Sequence, residues 1–272
     1  MCALYRMLRR RDSHATIGVM HRRVTLLGIP IDAVTREEAI ERLLTMLHTG
    51  GVRRTLHLGG HHHVMTPNSE MLVEAAHNPV FRELLSRTSL NLPDSVGLLL
   101  MARLTGQHLP ERVTGVDTVT AFCAQLGPKH PVYLLGSAPG VAQKAAKELE
   151  RRNSELAVVG TYAGSPREED APAILEQIRS VKPHVLFVAF GAPVQDLWID
   201  RYLKDLPSVR IAMGVGGTFD FLTGVQRRAP RFLRTVGLEW LWRLSKEPKR
   251  IRRIWNAVVV FPFLVLLRGE RH

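Results

Sequence analysis

A unit of apolar strand, glycine turn and amphipathic helix recurs between residues 131 and 217, and it is the feature that most constrains the fold. The apolar runs at 131–135, 185–190 and 210–213 end in turns that begin at Gly136, Gly191 and Gly214. Strands that are buried on both faces and alternate with helices are typical of parallel sheets covered by helices on both sides. The sequence therefore predicts an α/β fold with a mainly parallel sheet.

Other segments extend this pattern along the chain. Strands are predicted at 24–29, 54–58, 90–92 and 156–160, and a histidine-rich loop is predicted around 61–63. Helices are predicted at 35–47, 69–76, 79–85, 96–104, 117–126, 141–152, 165–180 and 195–203. Thr35-Arg-Glu-Glu38 is typical of a capping box, and Ser165-Pro-Arg-Glu168 of a helix start with proline in the first turn.

The net charge of +12 is concentrated at the two ends of the chain. Residues 1–23 carry a net charge of +5, residues 24–224 carry −2 and residues 225–272 carry +9. We therefore predict a basic, disordered tail at 1–23, an α/β domain at 24–224 and a basic, amphipathic helical appendage at 225–272. Basic ends indicate an anionic partner, either nucleic acid or lipid. With only two cysteines and no apolar run after the arginines at 9–11, we expect a reducing compartment and no secretory signal.

The appendage combines tryptophan and basic residues with an apolar run. Trp240 and Trp242 stand among arginines and lysines, and the apolar run at 257–267 has eleven residues. A helix needs roughly 20 apolar residues to span a bilayer, so this run is too short. Tryptophan and arginine beside an apolar segment are typical of a membrane interface. The alternatives are a groove for single-stranded nucleic acid, a helix pair packed on the body and a dimer contact.

The glycine turns are candidates for phosphate binding, because ligands of parallel sheets bind at the carboxyl ends of the strands. Turns at Gly136, Gly191 and Gly214 could present backbone N–H groups to a phosphate, although ordinary strand-to-helix turns have the same sequence pattern. After Gly214 and Gly216, the third position of a dinucleotide fingerprint holds Phe219. The fingerprint that a nicotinamide-dependent oxidoreductase requires is therefore incomplete.

Three polar residues stand at the carboxyl ends of predicted strands or loops. Asp94 follows a short strand and precedes a helix, so it is either a general base or a helix N-cap. Thr66 and Asn68 precede the helix at 69–76, where they could hydrogen-bond a sugar or a uracil ring, or cap that helix.

No metal site is predicted. His57, His61, His62 and His63 are close in sequence, but neighbouring residues on a strand face opposite sides and cannot all bind one ion. A polar loop or a pocket wall is the interpretation we favour for them. The acids at 168–170 fall in the first turn of a predicted helix, where the helix dipole favours acids. A diphosphate bound by this chain would depend on arginines and helix N-termini.

Taken in order, these motifs resemble those of the WecG/TagA/CpsF family of glycosyltransferases over roughly residues 24–267. The motifs are Thr66-Pro-Asn68, Pro93-Asp94 with Gly97, Glu111-Arg-Val-Thr-Gly-Val-Asp117, Gly191-Ala-Pro-Val-Gln195-Asp, Gly214-Val-Gly-Gly-Thr-Phe-Asp220, Gly224, Arg228-Ala-Pro230 and the stretch from Gly237 to Arg250. Two departures from the family pattern are Asp94-Ser95 in place of Asp-Gly, and Pro193-Val-Gln-Asp196 in place of Pro-Lys-Gln-Glu.

The resemblance implies a Rossmann-like catalytic domain that transfers a sugar with inversion and uses neither a cofactor nor a metal. The implied donor is UDP-N-acetylmannosamine or its uronic acid, and the implied acceptor is a sugar on a polyprenyl diphosphate at the inner face of the cell membrane. The base of the family aligns with Asp94. The implied substrate contacts are Thr66, Asn68, Arg112 and Gln195, with the glycines of the three turns. The implied contacts to the diphosphate and the membrane are Arg228, Arg243, Arg250 and Arg253.

Two other functions compete with this interpretation. A nicotinamide-dependent oxidoreductase could use the same fold, and a basic-tailed module for RNA or DNA would not be an enzyme at all. On the family interpretation we expect no nucleic-acid partner, and a homo-oligomer stays open. We also expect that removal of the chain from about residue 237 leaves the core folded.

Overall fold

The computed structural model describes residues 22–49, 60–230, 232–233, 239–246, 248 and 251–268. The predicted strand at 54–58, the tail at 1–21, His57 and Arg250 lie outside the described residues, as does the side chain of Arg243.

In the part of the chain that the structure describes, eight strands form two sheets. The strands are β1 (Arg23–Leu26), β2 (Ile29–Asp32), β3 (His62–Met65), β4 (Leu90–Asn91), β5 (Val132–Gly136), β6 (Val158–Tyr162), β7 (Val185–Ala189) and β8 (Ile211–Gly214). β1 and β2 form an antiparallel hairpin, and the other six strands form one parallel sheet in the order β4-β3-β8-β7-β5-β6. The predicted α/β class and parallel sheet are confirmed.

Helices connect the strands and cover the sheet. They are α1 (Arg36–Thr49), α2 (Ser69–His77), α3 (Pro79–Arg87), α4 (Val96–Leu104), α5 (Gly115–Cys123), α6 (Val141–Arg152), α7 (Ala171–Val181), α8 (Val194–Tyr202), α9 (Thr218–Leu222), α10 (Glu239–Lys246), α11 (Ile251–Trp255) and α12 (Phe261–Arg268). Short 3-10 helices lie at Glu168–Asp170 and Leu203–Asp205, and a π-helical turn at Asn256–Val260 joins α11 to α12.

The central strands are buried on both faces, which explains their continuous apolar sequences. In β7, Val185 and Phe187 belong to the core cluster that contains side chains of α1, α5 and α6. Leu186 and Val188 belong to the cluster on the other face, with α7 and α8. Because successive side chains of a strand point to opposite faces, one apolar strand supplies both cores.

The N-terminal strand prediction is wrong in one respect. The apolar run predicted as one strand at 24–29 is a hairpin whose turn, Leu27-Gly28, has φ values of 54° and 75°. Two-residue hairpin turns require positive φ, and glycine adopts it without strain. Because Leu27 is buried, the apolar pattern continues through the turn and conceals it.

Other local predictions divide into confirmed and wrong ones. The capping box is confirmed, since Thr35 Oγ1 accepts from Glu38 N at 3.2 Å and Glu38 Oε2 accepts from Thr35 N at 2.8 Å. The helix predicted from residue 165 begins only at Ala171, because Ser165 Oγ instead accepts from Arg167 N in a local turn. The predicted histidine-rich loop is also wrong, because residues 62 and 63 begin β3 between two strands.

The C-terminal helix is part of the body of the molecule. Phe261 and Val265 are fully buried in the core cluster that contains side chains of the hairpin, α2, α3 and α4. Removal of the chain from about residue 237 would uncover this cluster and destabilise the core, whereas the expectation that the core still folds stays a prediction. Within the described residues, every helix is too short or too polar to cross a membrane.

Three histidines cluster at the amino-terminal edge of the sheet. His130 and His184 precede β5 and β7, their Nδ1 atoms lie 3.4 Å apart, and the ring of His48 packs against that of His130 at 5.1 Å. Burial lowers the pKa of His130 and His184, and the positive charge of Arg210 lowers both further.

We predict that this cluster makes the protein sensitive to acid. A histidine whose pKa is lower in the folded state stabilises the fold above its unfolded value of about 6.5, and this contribution is lost as the pH falls through the folded value. The free energy of unfolding should therefore fall between pH 7 and pH 5 by less in the His130→Asn, His184→Asn double variant than in the wild type. Urea titrations at a series of pH values measure this, and equal pH slopes for the two proteins would contradict it.

Candidate active site

Two backbone hydrogen bonds bring the predicted site residues together. Asp94 N donates to Pro67 O at 2.9 Å, and Val113 N donates to Pro93 O at 2.8 Å. The loop after β4 is thereby fixed between the loop after β3 and the segment that precedes α5. Side chains that lie far apart in the sequence consequently meet at the carboxyl edge of the sheet.

These loops enclose a polar cavity of about 400 Å³. Its walls come from the carboxyl ends of β3, β4, β5, β7 and β8, as expected for a parallel sheet. Eight of the predicted site residues line it: Thr66, Asn68, Asp94, Arg112, Gly191, Gln195, Arg228 and Arg253. Gly136 and Gly214 stand behind the wall.

Asp94 is held by two positive partners. Its Oδ2 accepts from Gly115 N at the start of α5 at 3.1 Å, and its Oδ1 lies 3.9 Å from Arg112 Nε. A helix N-terminus and a guanidinium group both stabilise a negative carboxylate. The side chain is 25% exposed, so a bound substrate can reach it. The arrangement suits a carboxylate that accepts a proton.

Helix capping was an alternative role for both Asp94 and Asn68, and the structure distinguishes the two residues. Asp94 does not cap α4, because the N-cap is Ser95, whose Oγ accepts from Leu98 N at 3.3 Å. Asn68 does cap α2, by accepting from Met71 N at 3.0 Å, and it lines the cavity as well. The serine that departs from the family pattern thus performs the capping and leaves the carboxylate of Asp94 free of that task.

Arg228 ties the chain beyond β8 to the start of α5. Its guanidinium group donates to both carboxylate oxygens of Asp117, at 2.7 and 3.1 Å. Asp117 Oδ2 also accepts from the hydroxyl of Thr114, the N-cap of α5, at 2.6 Å. The guanidinium plane of Arg228 is therefore set by the protein at the wall of the polar cavity.

The glycine turns do not offer all of their N–H groups to a ligand. Gly191 N and Gly216 N both donate to Gln195 Oε1, at 3.1 and 2.9 Å, and Ser137 N donates to Ala189 O at 3.0 Å. The prediction that turn amides carry the charge of a diphosphate is wrong for these three groups, since internal acceptors already use them.

Gly136 and Gly214 serve close packing. A Cβ atom at Gly136, whose φ is +104°, would lie 2.7 Å from the backbone of Ala189, and one at Gly214 would overlap Gln195 and Asp196. Both positions require glycine for the approach of neighbouring chain segments. A role of Gly191 in direct substrate binding stays a prediction.

Five polar residues of the cavity were not among the predicted site residues: Thr114, Ser137, Thr218, Asp220 and Gln226. Ser137 Oγ donates to Asp220 Oδ1 at 3.2 Å, so the turns after β5 and β8 meet through their side chains. For Ser137 the signal was available, because it stands in the glycine turn that directly follows the predicted strand at 131–135.

A second, apolar cavity of about 310 Å³ adjoins the polar one. It lies between α4, which supplies Val96 and Leu100, and the C-terminal helices, which supply Trp240, Ile254 and Val258. Four residues line both cavities: Asn68, Asp94, Arg112 and Arg253. The predicted base therefore stands where a polar and an apolar compartment meet.

Arg253 spans this junction. Its Nε lies 2.5 Å from Glu70 Oε1 on the first turn of α2, and its side chain is half exposed. Among the predicted appendage arginines whose side chains are described, Arg228 and Arg253 both reach the cavity walls.

The described residues contain no group of three or more histidine, cysteine or acidic side chains that could hold a metal ion. The histidines at 61–63 diverge, as predicted from strand geometry: His61 Nδ1 lies 2.5 Å from Val209 O, His62 Nδ1 lies 3.3 Å from Ser89 Oγ, and His63 approaches Asp196.

Comparison with known proteins agrees with this geometry. The model of the glycosyl transferase WecG/TagA/CpsF family matches residues 24–272. The chain belongs to this family. The glycosyltransferase is also similar to the N-acetylglucosaminyldiphosphoundecaprenol N-acetyl-beta-D-mannosaminyltransferase of Bacillus spizizenii (strain ATCC 23059 / NRRL B-14472 / W23), with 31% identity over 192 residues, which cover 70% of this chain and 74% of the relative. The resemblance drawn from the motifs is confirmed.

We predict that Arg228 orders this wall of the glycosyltransferase through its paired hydrogen bonds. Arg228→Lys keeps the charge but cannot donate to both oxygens of Asp117 in parallel. A hydrogen bond to a charged group contributes about 1.5–3 kcal/mol, and the partial exposure of the two side chains, 26% for Arg228 and 38% for Asp117, favours the lower end. We expect amide hydrogen exchange about tenfold faster in residues 225–230 and at the start of α5. Arg227→Lys, on the exposed neighbour, is the control, and equal exchange in both variants would refute the prediction.

Proposed function

We propose that the protein transfers N-acetylmannosamine, or a closely related sugar, from a UDP-sugar to a polyprenyl-diphosphate-linked N-acetylglucosamine during synthesis of a cell-envelope polysaccharide or teichoic-acid-type polymer. The transfer inverts the anomeric carbon and needs no metal ion. The observation that carries the proposal is the position of Asp94 at the junction of the polar and the apolar cavity. The name of the Bacillus relative supports the choice of sugar and acceptor.

The polar cavity suits the donor. Its volume falls within the range of about 300–1,000 Å³ that is common for small-molecule sites. Hydroxyl, carboxylate and amide groups of Ser137, Thr218, Asp220 and Gln226 line the end beyond β5 and β8. Such groups can recognise ribose and uracil by hydrogen bonds, so in this proposal the nucleotide lies at this end and the sugar near Asp94.

The apolar cavity suits the lipid end of the acceptor. Its walls of valine, leucine, isoleucine and tryptophan match a polyprenyl chain. An acceptor bound in this way presents its sugar hydroxyl to Asp94. A nucleic-acid module does not account for an apolar compartment of this kind, and the incomplete glycine fingerprint argues against the oxidoreductase.

The chemical step is one direct displacement. Asp94 takes the proton of the acceptor hydroxyl while the hydroxyl oxygen forms a bond to the anomeric carbon of the donor. The bond from that carbon to the diphosphate oxygen breaks, and UDP leaves from the opposite face with the electron pair. One base is sufficient, because no covalent intermediate forms.

Arginine side chains carry the charge that develops on UDP. Arg112 and Arg253 face the cavity junction, whereas the turn amides of Gly191 and Gly216 are already used by Gln195. Guanidinium groups bind phosphate oxygens by charge-assisted hydrogen bonds. Side-chain cations thus take the role that a divalent ion has in other nucleotide-sugar enzymes.

We predict that Asp94→Asn lowers kcat strongly with little effect on the fold. A positioned general base contributes about 10²–10⁴-fold to the rate, and asparagine keeps the shape but accepts no proton. Asp200→Asn is the matched control, because Asp200 is equally half-buried, at 22% exposure, and pairs with Arg87 away from the site. Transfer to a synthetic lipid-diphosphate acceptor measures the effect. Full turnover by Asp94→Asn would eliminate the proposed base.

We also propose that the enzyme docks on the inner face of the cell membrane through its C-terminal helix. Along α11, the π-helical turn and α12, side chains at intervals of three and four residues are exposed and apolar: Trp255 at 58%, Val259 at 41%, Phe263 at 60%, Leu266 at 62% and Leu267 at 66%. Exposed Arg252 and Arg253 precede them. An apolar stripe beside arginines suits the surface of an anionic bilayer.

The membrane proposal predicts that Phe263→Glu with Leu267→Glu abolishes flotation with anionic vesicles. Burial of an apolar side chain of this size contributes about 1.5–3 kcal/mol, so each change should weaken binding tenfold or more. Val159→Glu on β6, at the opposite edge of the sheet from β4, is the control. Undiminished flotation of the double variant would contradict the proposal. Salt-sensitive binding to nucleic acid in place of vesicles would favour the non-enzymatic alternative.

A further inference from the structure

Gln195 joins two of the turns that wall the polar cavity. Its Oε1 accepts from Gly191 N in the turn after β7 at 3.1 Å and from Gly216 N in the turn after β8 at 2.9 Å. Only 4% of the residue is exposed. One amide oxygen therefore fixes the separation of two loops that belong to neighbouring strands.

The amide of Gln195 can do this in only one of its two orientations. Its oxygen and its NH2 group have nearly the same shape, so a flipped amide would place two donors against the two backbone N–H groups. Asp196 prevents the flip, because its Oδ2 lies 3.3 Å from Gln195 Nε2 and a carboxylate only accepts. The acid next in sequence thus selects the working orientation of the amide.

Asp196 is itself fully buried. Its Oδ1 lies 3.5 Å from Nε2 of His63, which is 1% exposed and stands on β3. These two atoms form no hydrogen bond, but a buried carboxylate is costly without a polar neighbour, and the contact with this imidazole lowers that cost. The absence of a side chain at Gly214 makes room for Asp196 and for the amide of Gln195.

We propose that His63 and Asp196 are positioning residues of the glycosyltransferase: they act through Gln195 to hold the turns after β7 and β8 at the separation that the nucleotide donor requires. Neither residue was among those that the sequence analysis selected for a role in transfer, and Asp196 does not line either cavity. The inference rests on the proposed function in one respect, namely that the polar cavity takes UDP.

The test compares three variants. Asp196→Asn keeps an oxygen that can accept from Gln195 Nε2, so it should resemble the wild type. Asp196→Leu removes the acceptor. His63→Leu with Asp196→Leu also removes it but replaces both members of the buried pair by apolar groups, an exchange that is often neutral for stability. This double variant keeps the test valid if the single leucine variant fails to fold. Asp200→Asn, one helical turn further along α8, is the control.

Two measurements decide the outcome. We expect hydrogen exchange at Gly191 N and Gly216 N to be about tenfold faster in the leucine variants and unchanged in Asp196→Asn, in line with the loss of one hydrogen bond to a charged group. The Kd for UDP, measured by calorimetry, should rise about tenfold in the same variants, while the KM for the lipid acceptor stays constant.

The results separate this inference from the proposed function. Unchanged exchange, or faster exchange with an unchanged Kd for UDP, would overturn the positioning role while leaving the donor assignment intact. A rise in KM for the acceptor equal to that for the donor would indicate general disorder and would overturn it too. A wild-type protein that does not bind UDP would instead contradict the proposed donor, and with it the role in positioning that donor.

Discussion

The parallel pairing of β3 with β8 is the contact on which the site depends. Residues 62, 63 and 64 of β3 lie opposite residues 211, 212 and 213 of β8, so strands that are about 150 positions apart in sequence end side by side. The loop after β3 carries Thr66 and Asn68, and the loop after β8 carries Gly216 and Thr218. Neither half of the chain contains a site alone, and a cavity exists only because this pairing aligns the two sets of strand ends. The buried contact of His63 with Asp196 lies beneath the same pairing.

The sequence predicts the sheet well because each central strand is buried on both faces. A strand such as β7, with five consecutive buried residues, requires an uninterrupted apolar run, and a glycine turn follows it. It predicts the hairpin and β3 poorly for the opposite reasons. The turn of the hairpin has a buried leucine, so its hydropathy does not mark it, and β3 opens with two histidines whose burial depends on partners from distant segments. Propensity alone cannot reveal a polar strand whose partners are tertiary.

Residue types at the site were easier to select than their tasks. Asp94, Thr66, Arg112 and Gln195 all reach the cavity, because carboxyl ends of parallel strands share one edge. The role of each of these side chains is determined by its hydrogen bonds, which the local sequence pattern does not predict. Ser95 caps α4, which releases the carboxylate of its neighbour. The amide oxygen of Gln195 accepts hydrogen bonds from two backbone N–H groups, so these groups are not available to bind phosphate.

Because Gln195 accepts from the amides of Gly191 and Gly216, these amides cannot contribute to the electrostatics of sugar transfer. A glycosyltransferase must stabilise the charge that appears on its leaving diphosphate, and preorganised dipoles or cations are the available means. Here the turn amides donate hydrogen bonds within the protein. On the proposed function, the guanidinium groups at the cavity junction must therefore stabilise the negative charge of the leaving diphosphate. Arg112 belongs to the loop that holds Asp94, whereas Arg253 belongs to α11, which continues through the π-helical turn into α12, and pairs with Glu70 beside the apolar cavity. Because this continuous helical segment also carries the exposed apolar stripe, the proposed membrane docking and the proposed binding of the leaving diphosphate would involve the same part of the chain. On these proposals, the acceptor lipid would meet Arg253 and Asp94 at the point where it leaves the bilayer.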